Sequence, residues 1–238
     1  MKNILPFLLL LVLTASCSGD DSPNPVAKPA DQIPANQKFL EKISGENQTI
    51  TIGYDSEKRV NNIVRNNIRY EISYEDGFVR KIRIHSGDRQ GSYTFGHHDN
   101  GNISGCIVRD FTTDELTGYI GIVYNAATTS YSDWMYLYPD GSIRKTIINE
   151  VEKVFVYDTA KKGGLANTNA EVMLYLMFAD RYSIDWPQFL SHLPSVEVVF
   201  PTGSITIENT YDDQGFIIKS HRDATANNLD LDYSYVQL

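Results

Sequence analysis

The chain has 238 residues, with 30 acidic against 21 basic side chains and a formal net charge of −9. That balance, with no basic cluster longer than the pairs Arg80-Lys81 and Lys161-Lys162, excludes a nucleic-acid partner, because an acidic surface repels phosphate backbones. A hydrophobic content of 42% over this length supports one full core, two small domains being the alternative, and the two cysteines exclude a disulfide-dense scaffold.

In chain order, Met1-Lys2-Asn3 precedes an apolar run from Ile4 to Val12, and then Leu13-Thr14-Ala15-Ser16-Cys17. The run is too short to span a bilayer as a helix, which takes about 20 apolar residues, and it has the form of a secretory signal over residues 1–16. Small residues followed directly by Cys17 resemble a bacterial lipoprotein box, of the relaxed kind found in Bacteroidota, in which the Cys17 sulfur carries diacylglycerol. The run Ser18-Gly19-Asp20-Asp21 resembles the signal that sends such lipoproteins to the outer face of the outer membrane. The lipid anchor therefore makes the membrane the first expected partner, and two or three acyl chains make the attachment effectively permanent. Between Ser18 and Pro34 lie Pro23, Pro25, Pro29 and Pro34, four of the nine prolines. Residues 17–35 thus read as a lipidated tether, which at ~3.1 Å per residue reaches on the order of 50 Å.

Residues 36–238 read as one β-rich domain. A short helical turn is expected around Asn36 to Ile43, after which the apolar period becomes two: Ile50, Ile52, Tyr54; Ile68, Tyr70, Ile72, Tyr74; Ile82, Ile84; Ile205, Ile207; Leu229, Leu231, Tyr233, Tyr235. Such alternation marks half-buried strands. Between them a unit recurs: Tyr74-Glu75-Asp76-Gly77-Phe78-Val79-Arg80-Lys81, Tyr138-Pro139-Asp140-Gly141-Ser142-Ile143-Arg144-Lys145 and Tyr211-Asp212-Asp213-Gln214-Gly215-Phe216-Ile217-Ile218-Lys219, with looser copies at Phe200-Pro201-Thr202-Gly203 and from Phe95 to Ile103. Each copy predicts a hairpin corner, its Gly supplying the positive φ that matches strand twist. These units resemble the YD repeats of the RHS family. Together with the lipoprotein box and tether they are similar to a group of Bacteroidota surface lipoproteins classed as a domain of unknown function. The resemblance covers Phe39 to the C-terminus and implies the hairpin architecture, not toxin delivery.

One segment breaks the pattern. Asn169 to Asp180 is turn-free and rich in helix formers, with Thr168 or Asn169 as cap and Glu171 in the first turn. Asp185-Trp186-Pro187 reads as the start of a short second helix. Both are expected to cover one face of the sheet. The fold class is therefore all-β, a mainly antiparallel hairpin meander with one or two inserted short helices.

Candidate chemistry is sparse. His97-His98-Asp99 precedes Asn100-Gly101 and reads as a solvated turn, since neighbours on a strand point to opposite faces. Cys106, in an apolar run, reads as a small core residue, and pairs such as Asp114-Glu115 and Asp212-Asp213 as corners. No Gly-x-Ser-x-Gly, His-Glu-x-x-His, Cys-x-x-Cys or phosphate-binding glycine loop is present, and no cofactor, metal or catalytic residue is assigned. Trp134, Tyr136 and Tyr138 alternate along one strand and Trp186 adjoins Pro187. These four are the candidate ligand-binding aromatics, with Trp186 as the exposed contact. Asp158-Thr159-Ala160 resembles the O-glycosylation signal of exported Bacteroidota proteins, which marks Thr159. The resulting functional reading is a non-enzymatic outer-membrane surface lipoprotein that binds a glycan or protein; a hydrolase with dispersed carboxylates and a structural envelope protein are the alternatives. The anchor is tested by Cys17→Ala, which should move the protein from the membrane fraction to the soluble one; a variant that stays with membranes rules lipidation out.

Overall fold

The computed structural model of the chain describes residues 37–86, 91–110, 112–180, 185–223 and 229–238; the signal, Cys17 and the proline tether lie outside the described residues. The strands are β1 (Lys38–Ser44), β2 (Thr49–Tyr54), β3 (Val60–Arg65), β4 (Ile68–Glu75), β5 (Phe78–His85), β6 (Gly91–His97), β7 (Ile103–Arg109), β8 (Leu116–Gly121), β9 (Tyr124–Asn125), β10 (Ser130–Tyr131), β11 (Met135–Leu137), β12 (Ile143–Ile148) and β13 (Val151–Tyr157). Helices α1 (Val172–Ala179) and α2 (Trp186–Phe189) follow, then β14 (Ser195–Phe200), β15 (Gly203–Tyr211), β16 (Ile217–Arg222) and β17 (Leu229–Gln237). The 17 strands form one sheet, so the expected all-β meander with small inserted helices is what the chain builds. Successive strands pair antiparallel from β1 to β8 and again from β9 to β17, and β17 pairs back onto β1. The sheet steps at β15, whose residues 203–206 pair with β14 and 207–211 with β16.

The hairpin corners at Tyr138 and Asp212 repeat one geometry. At Tyr138–Ser142 the Gly141 amide donates to the Tyr138 carbonyl (3.0 Å), the Tyr138 amide to Ser142 (2.8 Å), and Asp140 Oδ1 accepts the Ser142 amide (2.9 Å). Gly141 sits at φ +85°, a region that L side chains rarely adopt. The corner at Asp212 repeats the pattern, with Oδ1 accepting the amides of Gln214 and Phe216. Other tyrosines tie strands together. The Tyr74 hydroxyl donates to the Val60 carbonyl (2.6 Å), Tyr157 to Ile143 (2.8 Å) and Tyr235 to Ile217 (2.8 Å). Each acceptor is the first residue of its strand, so neighbouring hairpins are tied phenol to backbone. Tyr54 makes the same kind of bond to Leu40 in β1 (2.7 Å). A buried phenol needs such a partner, and burial pushes all four phenol pKa values well above the usual range.

The helical segment is enclosed rather than laid on one face as the sequence suggested. In α1 every residue but Leu174 is buried, and a helix without a polar stripe needs apolar neighbours all round. The sheet supplies them. Tyr175 packs edge-on against Phe95 of β6 (5.0 Å), Phe178 against Tyr131 of β10 and Trp134, and Trp186 against Tyr70 of β4 (5.3 Å). Arg65 of β3 clasps Asp185 with two bonds (2.8 and 2.7 Å), Arg222 of β16 reaches Gln188, and Asn167 donates to the Lys38 carbonyl of β1. Strands from opposite ends of the pairing order thus meet the same short segment, which requires the sheet to curl around it. In β4 the alternation is plain: Tyr70 and Ile72 are buried while Arg69 and Glu71 pair outside at 2.6 Å.

Three local expectations are corrected. Residues 38–44 are strand β1, not a helical turn; a bulge between Leu40 and Lys42 buries Phe39, Leu40 and Ile43, a spacing that imitates one helical face. Helix α1 starts after Glu171 without a side-chain cap, because Asn169 accepts from the Val60 amide (3.2 Å) and donates to the Tyr74 hydroxyl (2.8 Å). Trp186 is 0% exposed, held between Tyr70 and the Arg65 guanidinium (4.8 Å from its ring), and is no surface contact. Cys106 is buried in β7, as expected of a core residue. Since Tyr74 serves both Val60 and Asn169, Tyr74→Phe should lower unfolding free energy by about 1–3 kcal/mol in a urea titration, whereas Tyr119→Phe, at an exposed ring, should leave it unchanged; equal effects would remove the corner bonds from the account.

Candidate functional site

The start of α1 forms one wall of a cleft of about 800 Å³. Facing it are the corner Leu137–Ile143, the turn before β7 at Gly101–Ile103 with Phe78, and the rings of Tyr124, Tyr131 and Tyr157; Pro187 and Leu190 to His192 close another side. The lining is therefore mostly aromatic and aliphatic, and among the described residues it carries two carboxylates, Glu171 and Asp140, with no lysine or arginine. Asp140 is committed to its own turn through the Ser142 amide. The Ser142 hydroxyl is buried and has no partner among the described residues.

Glu171 is half-buried, and burial raises its carboxyl above the usual carboxylate range. Its charge is felt by three phenols. Tyr131 is pushed up to about 12, by burial first and then by Tyr124 and Glu171; Tyr175 and Tyr74 are also raised, chiefly by burial, with Glu171 adding to it. Beside Tyr175 stands His97, whose Nε2 lies 2.8 Å from the Tyr175 hydroxyl and whose ring stacks on Phe78 (5.0 Å, 28°). Burial, then the Arg80 charge, lowers the His97 pKa and favours the neutral ring. The expectation of a solvated turn holds for His98 and Asp99, which are exposed at the corner, while His97 turns inward and is engaged. Among the described residues no group of three metal-ligating side chains converges.

Of the aromatics singled out from the sequence, Tyr138 lines the cleft. Its hydroxyl donates to the Phe155 carbonyl (3.1 Å) and its ring meets Tyr157 edge-on. Trp134 packs on Phe178 (5.2 Å), whereas Tyr136 lies under the Lys145 ammonium (4.5 Å), away from buried Met135. Alternation fails here because β11 has only three residues and a register shift follows Tyr136, so the three rings do not share a face. Thr159 is exposed at the corner after β13, where Asp158 Oδ1 accepts the Ala160 amide (2.9 Å). Sequence reasoning missed Glu171 as a cleft group and passed over Tyr124, Tyr131 and Tyr157. The one usable signal was Tyr157-Asp158, a corner pair lacking the glycine that marked the other copies.

No family model and no curated protein matches the chain. Among solved structures it is similar to a porin-like protein from Bacteroides uniformis ATCC 8492, at 11% identity and a TM-score of 0.46 over 85% of this chain and 99% of that one. It is also similar to a porin-like protein from Bacteroides vulgatus ATCC 8482, at 10% identity and a TM-score of 0.40 over 85% of this chain and 100% of that one. Likenesses this distant assign no function.

Because the folded-state pKa of Glu171 is raised, its contribution to stability is present in full below the unfolded-state pKa and is lost as pH rises through the folded value. Glu171→Gln should therefore raise the thermal midpoint at about pH 7 and leave it nearly unchanged at about pH 4. A lower midpoint at the higher pH would show that the carboxylate is satisfied by contacts other than those seen.

Proposed function

We propose that the chain is a lipid-anchored surface protein that binds a glycan in the cleft beside α1 without breaking it down. The observation that carries this is the aromatic lining of a concavity of about 800 Å³, which is the scale of a small-ligand site. Ring faces stack on sugar rings, whereas a folded protein partner needs a larger, flatter area. Anchorage rests on the Cys17 motif, and outward display on the acidic run and proline tether behind it; the corner geometry supports kinship with the YD-like surface lipoproteins of Bacteroidota. Thr159, exposed at a corner, is accessible to the proposed O-glycosylation.

The hydrolase alternative has one observation in its favour: a half-buried, pKa-raised Glu171 is the form a general acid takes. A glycosidase needs a second working carboxylate, and Asp140, the other one in the cleft, is already tied to its own turn. Calorimetric titration of the intact chain with an oligosaccharide panel separates the readings. Binding should weaken by about tenfold or more in Tyr138→Ala, with the fold checked by circular dichroism and no new reducing ends formed. No binding across the panel, or binding indifferent to Tyr138→Ala, removes the proposal; release of reducing ends installs the hydrolase.

A further inference from the structure

The charge of the cleft is one-sided. Among the described residues Glu171 and Asp140 line it, no lysine or arginine does, and His192 is the one other titratable group there besides the phenols. The Glu171 carboxylate has no hydrogen bond or ion pair with any described side chain, although it is half-buried in a cleft that Tyr131 and Tyr175 also line. Three other partly buried carboxylates are matched: Asp185 by Arg65, Asp212 by Lys38, Asp55 by Arg59. A desolvated carboxylate left without a cation is unfavourable until a ligand brings one. The rings around it add to the same preference, since aromatic faces attract cations. The net charge of −9 draws cations toward the surface as well.

We propose that the cleft selects a saccharide bearing a free amine, with the ammonium of an amino sugar seated against Glu171 and its ring carried by the aromatic lining. This rests on the glycan-binding reading above and narrows it. An uncharged sugar would leave Glu171 unmatched, and an acidic sugar would face it directly.

The full chain is titrated at about pH 6.5, where an amine of this class is protonated, with the β-1,4-linked glucosamine disaccharide and with its di-N-acetyl counterpart. The two share a backbone and differ in charge. The free-amine disaccharide should bind about tenfold or more tightly than the acetylated one, and Glu171→Gln should bring the two affinities together. Equal binding, or tighter binding of the acetylated sugar, overturns the amine preference while leaving a glycan site standing. Failure of both sugars, and of every neutral oligosaccharide in the panel, overturns the glycan reading itself. The wild-type comparison decides the amine preference even if Glu171→Gln does not fold.

Discussion

Enclosure of one apolar segment is the constraint on which the rest of this structure depends. Helix α1 is eight residues long, too short to hold in water on its own propensity, and it has no polar stripe to offer solvent. It exists because strands close on it from several directions. In turn, the sheet needs it, since the inward rings of Phe95, Tyr131 and Tyr70 have Tyr175, Phe178 and Trp186 as their edge-on partners. Polar groups at the segment's margins are spent on the same junction. Asn169, Asp180 and Asp185 reach β3 and β4 instead of capping helices. The cleft is a consequence of this arrangement: where the helix begins, the packing of sheet on segment opens, and Glu171 stands at the opening.

The recurrent Tyr-Asp-Gly corner has a mechanical explanation that does not depend on a ligand. At the Tyr138 and Tyr211 corners the acidic residue satisfies turn amides and the glycine takes the left-handed position, while Tyr74 and Tyr157 span to the first residue of a strand leaving an earlier corner. Neighbouring hairpins are thereby fixed in register by a side chain as well as by the ladder. At His97 the pattern changes. The residue occupies the place that Tyr54 and Tyr211 hold at their corners, yet it engages Tyr175 of α1. This corner beside the cleft is therefore coupled to the enclosed helix.

Much of the fold was legible because its signals are local. Period-two alternation marked the strands around Ile52, Tyr70, Ile84 and Tyr233, glycine marked the corners at Gly77, Gly101, Gly141, Gly203 and Gly215, and the turn-free run at Val172 marked α1. What escaped was non-local or ambiguous. The bulge at Leu40/Lys42 gave β1 a helical spacing, and the β9 to β11 strands are too short to show a period. Enclosure of α1 depends on β17 returning to β1, which no stretch of sequence announces. The cleft escaped for the same reason, being gathered from segments as far apart as Phe78 and His192. Glu171 looked like an ordinary first-turn acid; only the company of Tyr74, Tyr131 and Tyr175 distinguishes it. Trp186 was misjudged because its sequence neighbours Asp185, Pro187 and Gln188 look solvent-facing, while Arg65, far away in sequence, lines its burial.

A short helix walled in by strands thus presents one unmatched carboxylate inside an aromatic cleft, on a chain whose leading residues resemble a lipid-anchoring signal. The account stands or falls on where a ligand sits. A crystal structure of the chain soaked with the glucosamine disaccharide tests it most directly: the account predicts the sugar in the cleft with an amine nitrogen about 3 Å from the Glu171 carboxylate. A sugar bound on the outer face of the sheet, or in the cleft with its amines turned away from Glu171, would contradict it.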